Sequence, residues 1–269
     1  MPNASCGPEI FEHNPIRIAH RGASKEAPEN TLPAFSLAIQ KYQVDMVEMD
    51  LQLTQDGVPV VFHDLTLERV TEGQGLLSKH SLAQLKTLDA GFGFDPTGKK
   101  EFPFRGKGAA IPTLEEVLTE FPNACFCLEI KEKRIEAVQK ILEVIGRIQR
   151  KGRLLLASFD GKTARKLRRL APPTMKGILA EDEIFWMYTA HRLGFSRFNP
   201  PAHYASLPLT KYRLHLDDKN WIDFLHRQGV RVFYWTVNEP EEMRRLLKLG
   251  ADGILTDDPA GLNQVLEKS

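Results

Sequence analysis

The chain has 269 residues, 42% of them hydrophobic and 26% charged, which is typical of a globular protein with one large or two small domains. Its 36 Lys and Arg residues against 35 Asp and Glu residues leave a formal net charge of +1, which gives no reason to expect nucleic acid or an anionic membrane as a partner. No apolar run approaches the ~20 residues of an integral membrane segment, and residues 1–15 lack the basic start and apolar centre of a signal peptide.

The chain begins with predicted strands and a helix. Residues 16–20 form a short β-branched segment that predicts a strand, and residues 31–42 predict a helix with Thr31 as its N-cap. The stretch VEMDLQLTQDGVPVVFHD at 47–64 is rich in Val, Leu and Phe and contains the turn dipeptide Asp56-Gly57. It therefore predicts two strands joined by a turn.

The stretch 65–111 follows and predicts little regular structure. Its turn residues surround one predicted helix at 81–89, whose Ser81 and Gln84 have the spacing of a capping box. An ordinary βα loop has about 2–6 residues, so this stretch is too long to be one. We interpret 65–111 as an insertion.

Beyond residue 111, predicted helices and strands alternate. The helices lie at 112–121, 134–150, 160–171, 181–193, 220–229, 240–250 and 259–268, and the strands at 125–131, 153–158, 175–180, 195–200, 230–238 and 252–256. Strands separated by helices predict a parallel sheet. Together with 16–20 and 47–53 there are eight, which predicts an α/β fold, a (β/α)8 TIM barrel with a small insertion after strand 2. We expect one domain over 1–269, with the insertion on the barrel rim.

Acidic side chains alternate with apolar ones on two predicted strands. Successive strand side chains point to opposite faces, so Glu48, Asp50 and Gln52 share one face, and Glu129 and Lys131 share another. In a barrel these faces point into the lumen, whereas the alternative is a half-exposed strand with a wet outer face. Burying three unpaired carboxylates is costly, so their convergence predicts one hard divalent cation, Mg²⁺ or Ca²⁺.

The three cysteines are Cys6, Cys125 and Cys127. Their odd number, without ligand-like spacing to a pair of histidines, favours a reducing compartment over a disulfide scaffold. We therefore expect a cytoplasmic location. Cys125 and Cys127 lie on the predicted inward face of their strand and are interpreted as lumen packing.

Two histidines lie at predicted strand ends. His20-Arg21 follows the first strand, and His63-Asp64 follows the second strand of the 47–64 pair. Active sites of barrels lie at the carboxyl ends of the strands. Two histidines there, beside three acids and an arginine, indicate catalysis more strongly than either does alone.

Several short motifs follow one another along the chain. They are His20-Arg21, Glu29-Asn30-Thr31, Glu48-x-Asp50, His63-Asp64, TLERVTEGQG at 66–75, Glu129-x-Lys131, WTVN at 235–238 and GILTDDP at 253–259. In this order they resemble the glycerophosphodiester phosphodiesterase family from about residue 16 to 260. The departures are Val70, where members usually carry threonine, and 181–229, which match poorly.

The resemblance implies a barrel enzyme that hydrolyses glycerophosphodiesters to glycerol 3-phosphate and an alcohol, with Mg²⁺ or Ca²⁺. It implies roles for nine residues. They are Glu48, Asp50 and Glu129 as metal ligands, His20 and His63 as the acid/base pair, Arg21 and Lys131 at the phosphate oxygens, Trp235 as a wall for glycerol, and Glu29 as a glycerol contact or support.

The chemistry of the reaction agrees with these roles. A phosphodiester is anionic, so attack on it needs positive charge around phosphorus. Histidine, with an unperturbed pKa of about 6.5, can donate or accept a proton near neutral pH. We expect His20 to be the acid and His63 the base, and the sequence leaves the reverse assignment open, as it does the metal, the alcohol and the oligomeric state.

Two other functions remain open. A lysophospholipase D or sphingomyelinase D-like enzyme would use a similar site on a lipid phosphodiester, and the apolar run Ile184–Tyr188 would suit an acyl chain, although it also suits a helix packed on the barrel. A non-catalytic phosphoester-binding protein would lack one of the histidines or acids, and none is missing. The favoured partner is a small-molecule glycerophosphodiester.

Overall fold

The computed structural model describes residues 14–132, 134–150, 152–173 and 175–268. Two short turns flank its regular elements, a π-helical one at Leu37–Lys41 and a 3₁₀ one at Leu77–Lys79. The strands are β1 (Ile16–His20), β2 (Met46–Leu53), β3 (Pro59–Val61), β4 (Phe126–Ile130), β5 (Leu154–Ala157), β6 (Lys176–Gly177), β7 (Tyr204–Leu207), β8 (Thr210–Lys211), β9 (Leu214–His215), β10 (Arg231–Tyr234) and β11 (Gly253–Thr256). The helices are α1 (Leu32–Ser36), α2 (Leu82–Leu85), α3 (Leu114–Glu120), α4 (Ile135–Arg147), α5 (Gly161–Leu170), α6 (Glu181–Arg192), α7 (Lys219–Arg227), α8 (Pro240–Leu249) and α9 (Pro259–Glu267).

Eight parallel strands form one sheet, in the order β6-β5-β4-β2-β1-β11-β10-β7. Its two edges meet just beyond β6, where Ile178 forms a parallel bridge with Tyr204 of β7. The Leu179 N–H also donates to the Tyr204 carbonyl, at 2.8 Å. The sheet is therefore a nearly closed barrel, and the prediction of a (β/α)8 fold is confirmed.

The predicted sixth strand was wrong in position. Residues 195–200 are irregular, and those at 195–199 are exposed. The barrel strand is β7, which pairs with β10 and buries Tyr204, Ala205 and Leu207. Pro200 and Pro201 have no N–H to donate to a ladder, so the chain joins the sheet only after them.

Side chains of β2 and β4 alternate between two apolar layers, as predicted. Val47, Met49 and Leu51 pack in the outer core with residues of α3 and α4. Met46 and Cys127 belong to the lumen core. Cys127 is a free, buried cysteine. Cys125 also lies in the lumen core, but it is disulfide-bonded, which the odd number of cysteines did not predict.

Local hydrogen bonds begin several helices where the sequence predicted. Thr31 accepts from the Ala34 N–H at the start of α1, and Asp160 accepts from Thr163 at the start of α5. The capping boxes of α2 and α3 are both formed. Each satisfies N–H groups that a helix leaves unpaired at its first turn. Among the described residues, no helix is long and apolar enough to cross a membrane.

The stretch 65–111 packs against β3 through a small core of its own. α2 and the 3₁₀ turn are its regular helices, so the predicted helix at 81–89 is shorter than expected. Val70 lies in this core, 9% exposed, which gives it a packing role. The members of the core are Val60, Phe62, Leu67, Val70, Leu77, Leu85, Ala90 and Ile111.

Candidate active site

Three acids converge inside the barrel from two neighbouring strands. β2 and β4 pair in a register that places Glu48 beside Cys127 and Asp50 beside Glu129. One carboxylate oxygen from each acid lies within 4.8 Å of the others. Glu48 is 3% exposed and Asp50 is 1% exposed, so this is a buried cluster of negative charge and not a wet strand face.

Two cations face the acids. Arg21 Nε lies 3.1 Å from Asp50 Oδ2, and Lys131 Nζ lies 2.5 Å from Glu129 Oε1 and 3.3 Å from Asp50 Oδ1. The Arg21 backbone N–H also donates to Glu48 Oε2, at 3.1 Å. Two cations thus face three carboxylates, and Arg21 is shared with a fourth, Glu29, at 3.0 Å.

The turn after β1 directs Arg21 toward the acids. Arg21 has a φ of 57° and Gly22 a φ of 86°. A Cβ on Gly22 would lie 2.7 Å from the Ala34 backbone, so only glycine fits between this turn and α1. The turn thus places both the N–H and the guanidinium of Arg21 at the lumen.

The acids differ in how burial and charge shift their pKa values. Burial, together with Asp50 and Glu129, raises the pKa of Glu48 well above its usual range. Burial would also raise the pKa of Asp50, but Lys131 and Arg21 outweigh it and lower that pKa. Burial raises the pKa of Glu129 although Lys131 opposes it. Glu48 is therefore the acid whose negative charge is least compensated.

The donor set fits a hard divalent cation. Glu48 Oε1 is buried and has no hydrogen-bond partner among the described residues. Asp50 is held from behind by Asn30, whose amide donates to Asp50 Oδ2 at 2.8 Å and whose Oδ1 accepts from the Asp50 N–H at 3.3 Å. Carboxylate oxygens alone favour Mg²⁺ or Ca²⁺ over zinc.

His20 at the end of β1 is oriented by Asp257. His20 Nδ1 lies 2.8 Å from Asp257 Oδ1. Ser24 and Asn238 donate to the same carboxylate, at 2.9 and 2.8 Å. Burial would raise the pKa of Asp257, but these hydrogen bonds hold it at about 2. An ionised carboxylate only accepts, so Nδ1 carries the proton and Nε2 is left for a substrate.

His63 reaches the site because β3 runs antiparallel to β2. Val61 pairs with Leu51, and the Phe62 N–H donates to the Asp50 carbonyl at 2.9 Å. The Gln52 amide donates to the carbonyls of Phe62 and His63, both at 3.0 Å. Because of these contacts, the chain runs back along β2 from its end, and Phe62 and His63 come to lie beside Asp50. His63 Nδ1 then lies 2.6 Å from Asp64 Oδ1.

Arg69 of the 65–111 stretch connects both halves of the site. Its guanidinium donates to both oxygens of Asp64 and, at 2.7 Å each, to both oxygens of Glu29. Glu29 also accepts from Arg21 at 3.0 Å. Burial would raise the pKa of Asp64, but hydrogen bonds from Arg69 and His63 lower it to about 2. No sequence signal distinguished Arg69 from other surface arginines.

These groups surround a cavity of about 140 Å³ at the carboxyl ends of the strands. Of the predicted site residues, Asp50 and Glu29 do not line this cavity, and Glu29 lines a neighbouring crevice with Arg21. Phe159, a residue that sequence reasoning missed, packs on Trp235 with ring centroids 5.4 Å apart. The polar wall contains His20, Arg21, Glu48, His63, Glu129 and Lys131, and the apolar wall contains Phe159, Leu179, Trp235 and Leu255.

The sequence profile of the Glycerophosphoryl diester phosphodiesterase family matches residues 20–261. The chain belongs to this family. A glycerophosphodiester phosphodiesterase of Caldanaerobacter subterraneus subsp. tengcongensis is 36% identical over 262 residues, covering 93% of this chain and 97% of its own. A lysophospholipase D of Mus musculus is 31% identical over 287 residues, covering 94% and 83%.

The fold is similar to that of solved phosphodiesterases. A phosphodiesterase of Oleispira antarctica, solved in complex with the product sn-glycerol 3-phosphate, has a TM-score of 0.78 and 26% identity, covering 96% of this chain and 99% of its own. Family membership, the relatives at this identity and the shared barrel make the protein an enzyme of the glycerophosphodiester phosphodiesterase type.

Proposed function

We propose that the protein hydrolyses glycerophosphodiesters to glycerol 3-phosphate and an alcohol, with one divalent cation held by Glu48, Asp50 and Glu129. The observation that carries the proposal is the pair of histidines, each with its Nδ1 on a separate carboxylate, at one cavity with the three acids. That arrangement supplies a cation site and two groups for proton transfer around one phosphorus atom.

The positive side chains would hold the substrate. Arg21 and Lys131 line the cavity next to the acids, so each can contact a non-bridging phosphate oxygen while neutralising part of the cluster. A bound Mg²⁺ or Ca²⁺ would supply further positive charge for the phosphate oxygens. Glu29 fixes Arg21 and does not reach into the cavity, so we assign it a supporting role.

His20 and His63 would move the protons. Their Nδ1 atoms are occupied by Asp257 and Asp64, which leaves both Nε2 atoms for the reacting groups. We assign His20 as the acid that protonates the departing alkoxide and His63 as the base that takes a proton from the attacking oxygen. The carboxylate behind each ring stabilises the protonated form that appears during its part of the reaction.

The apolar wall would hold the glycerol backbone. Trp235 and Phe159 line the cavity and pack on each other, and the Phe159 ring centroid lies 5.5 Å from Lys131 Nζ, so these rings would exclude water beside the phosphate. The neighbour from Oleispira antarctica carries sn-glycerol 3-phosphate, which is the product we propose here.

Release of glycerol 3-phosphate from glycerophosphocholine and glycerophosphoethanolamine tests the proposal. We expect turnover with both, loss of turnover after exhaustive chelation, and recovery when Mg²⁺ or Ca²⁺ is added back. Full turnover of a chelated protein in which elemental analysis finds no metal would contradict the cation. Absence of glycerol 3-phosphate with every metal and head group would contradict the reaction.

A further inference from the structure

The side chain of Asn238 joins the loops that follow β10 and β11. Asn238 is the last residue of the WTVN motif at 235–238. Its Oδ1 accepts from the Asp257 backbone N–H and from the Thr256 hydroxyl, both at 2.9 Å. Its Nδ2 donates to Asp257 Oδ2 at 2.8 Å. One amide therefore holds both the backbone and the carboxylate of Asp257, the residue that orients His20.

The two ends of the Asn238 amide cannot be exchanged. A backbone N–H only donates, so the Asp257 N–H requires the amide oxygen on its side, and an ionised carboxylate only accepts, so Asp257 Oδ2 requires the nitrogen. The buried Thr256 hydroxyl accepts from the Asp258 N–H at 3.0 Å, which directs its own proton to Asn238 Oδ1. Position 238 therefore needs a side chain with an acceptor and a donor at the same distance from the backbone.

The carboxylate of Asp257 needs this support because part of it faces open space. Its side chain is 33% exposed and lines, together with His20, a crevice of about 430 Å³. His20 Nδ1 also has a second acceptor nearby, the Thr236 hydroxyl, at 3.4 Å. Ser24 is a weaker anchor than Asn238, since its single proton is shared between the His20 carbonyl at 2.8 Å and Asp257 Oδ1 at 2.9 Å. The orientation of the His20 ring thus depends on where Asn238 holds the carboxylate.

We propose that Asn238 is a positioning residue for proton transfer to the departing alcohol. By fixing the Asp257 carboxylate, it keeps the His20 ring turned so that Nε2 faces the head-group oxygen. As the bond between phosphorus and that oxygen breaks, the electron pair stays on the oxygen and the Nε2 proton moves to it, while the Nδ1 proton stays on the ring beside Asp257. The inference rests on the hydrolytic function proposed above and on the assignment of His20 as the acid.

The need for this proton depends on the alcohol that leaves. Choline departs as a strongly basic alkoxide unless its oxygen is protonated, whereas p-nitrophenol departs as a stable anion. A residue that acts only through protonation of the leaving oxygen is therefore needed for the first alcohol and dispensable for the second. General damage to the site would slow the release of both.

Steady-state kinetics with two diesters tests the proposal: glycerophosphocholine and the p-nitrophenyl ester of glycerol 3-phosphate. Asn238→Ala should lower kcat for glycerophosphocholine by roughly 10-fold or more, a part of the scale of an acid group, and kcat for the p-nitrophenyl ester by less than about 3-fold. KM should change little, because Asn238 does not line the cavity that holds the phosphate. Asn220→Ala, at an exposed position of α7, is the control and should behave as the wild type. Equal losses with both diesters would overturn the proposal.

A second variant removes the donor alone. Asn238→Asp keeps the size of the side chain and an acceptor for Thr256 and the Asp257 N–H, but it replaces the Nδ2 donor by an oxygen that faces Asp257 Oδ2. Two like charges cannot share that contact, so the Asp257 carboxylate loses its fixed position. We expect a loss of glycerophosphocholine turnover at least as large as in N238A, and again a smaller loss with the p-nitrophenyl ester. Wild-type turnover of glycerophosphocholine by N238D would overturn the proposal.

A double-mutant cycle shows whether Asn238 acts through His20. Asn238→Ala added to His20→Ala should cause no further loss of glycerophosphocholine turnover, because no ring remains to be positioned. A further loss as large as that in the wild-type background would overturn the proposal. Wild-type turnover of glycerophosphocholine with no effect of N238A would contradict the role of Asn238 alone. Absence of glycerol 3-phosphate from both diesters with the wild type would contradict the hydrolytic function and, with it, this role.

Discussion

His20 Nδ1 lies 2.8 Å from Oδ1 of Asp257, a residue 237 positions later in the chain. The contact joins the first barrel strand to the loop after the last, across the pairing of β1 with β11. It determines which nitrogen of His20 faces the substrate.

Asp257→Asn should lower kcat by roughly 10²-fold, because a neutral amide can donate to Nδ1 and so favour the wrong tautomer of His20. Steady-state kinetics with glycerophosphocholine measures the change. The neighbouring Asp258→Asn is the matched control, since Asp258 accepts from the Gly261 N–H at the start of α9 and does not contact His20. Equal activity of D257N and wild type would contradict the role of Asp257.

His20→Ala and His63→Ala should each lower kcat by roughly 10²-fold or more, the usual scale for groups that transfer protons. Both variants should stay folded, as judged by circular dichroism and thermal unfolding, because both histidines lie at the cavity and not in the core. His215→Ala is the control, since the side chain of His215 is 79% exposed on the β9 strand. Near-native turnover by either active-site variant would exclude that histidine as acid or base.

Arg69→Met should lower kcat/KM by at least about 10-fold, because it frees Asp64 and Glu29 together and so loosens both His63 and Arg21. Arg69→Lys should recover only part of this loss, because an ammonium cannot form two bidentate contacts at once. The values of kcat/KM for the two variants, measured under identical conditions, show whether the planar guanidinium is needed or whether a positive charge is sufficient. Full activity of Arg69→Met would show that the network is dispensable.

Glu48→Gln should bind the activating cation more weakly and yet be no less stable than the wild type without metal. Removing one of three clustered charges lowers their mutual repulsion, while the cation loses a ligand. Melting temperature with and without Mg²⁺ or Ca²⁺ measures both effects, since a cation that binds only the folded site raises it. Glu120→Gln on the exposed face of α3 is the control. The same metal-induced rise in E48Q and wild type would exclude Glu48 as a ligand.

Acid should remove a stabilising contribution of Asp257 between about pH 4 and pH 2. Its pKa falls from about 3.9 in an unfolded chain to about 2 in the structure. Within this window the unfolded state binds more protons than the folded one, so the free energy of unfolding decreases as pH falls. Urea unfolding of wild type and D257N at several pH values should give a difference that is constant above pH 4 and shrinks toward pH 2. A difference independent of pH would contradict the lowered pKa.

The sequence by itself determined the repeating architecture and the acidic cluster. Alternation of Glu48, Asp50 and Glu129 with apolar residues predicted their inward direction, because the period of two is a property of any strand. Capping residues such as Thr113 and Asp160 predicted where helices begin, because each side chain accepts from a backbone N–H only three residues later. The wrong position of the sixth strand lies in the region 181–229, where the exposed Phe195 and Phe198 resemble strand residues although the barrel strand begins only at Tyr204.

Only the tertiary structure decided which groups meet. Asp257 reaches His20 because the closing strands of the barrel are neighbours, and Arg69 reaches Glu29 because the 65–111 stretch packs against β3 and its neighbour Phe62. His63 returns to the level of Asp50 because β3 pairs antiparallel with β2. The β8–β9 hairpin contacts the start of α6 because Lys211 and Tyr212 both bind Glu181. Such contacts join residues far apart in the chain, and local periodicity contains no information about them, since closure of the barrel sets their distances.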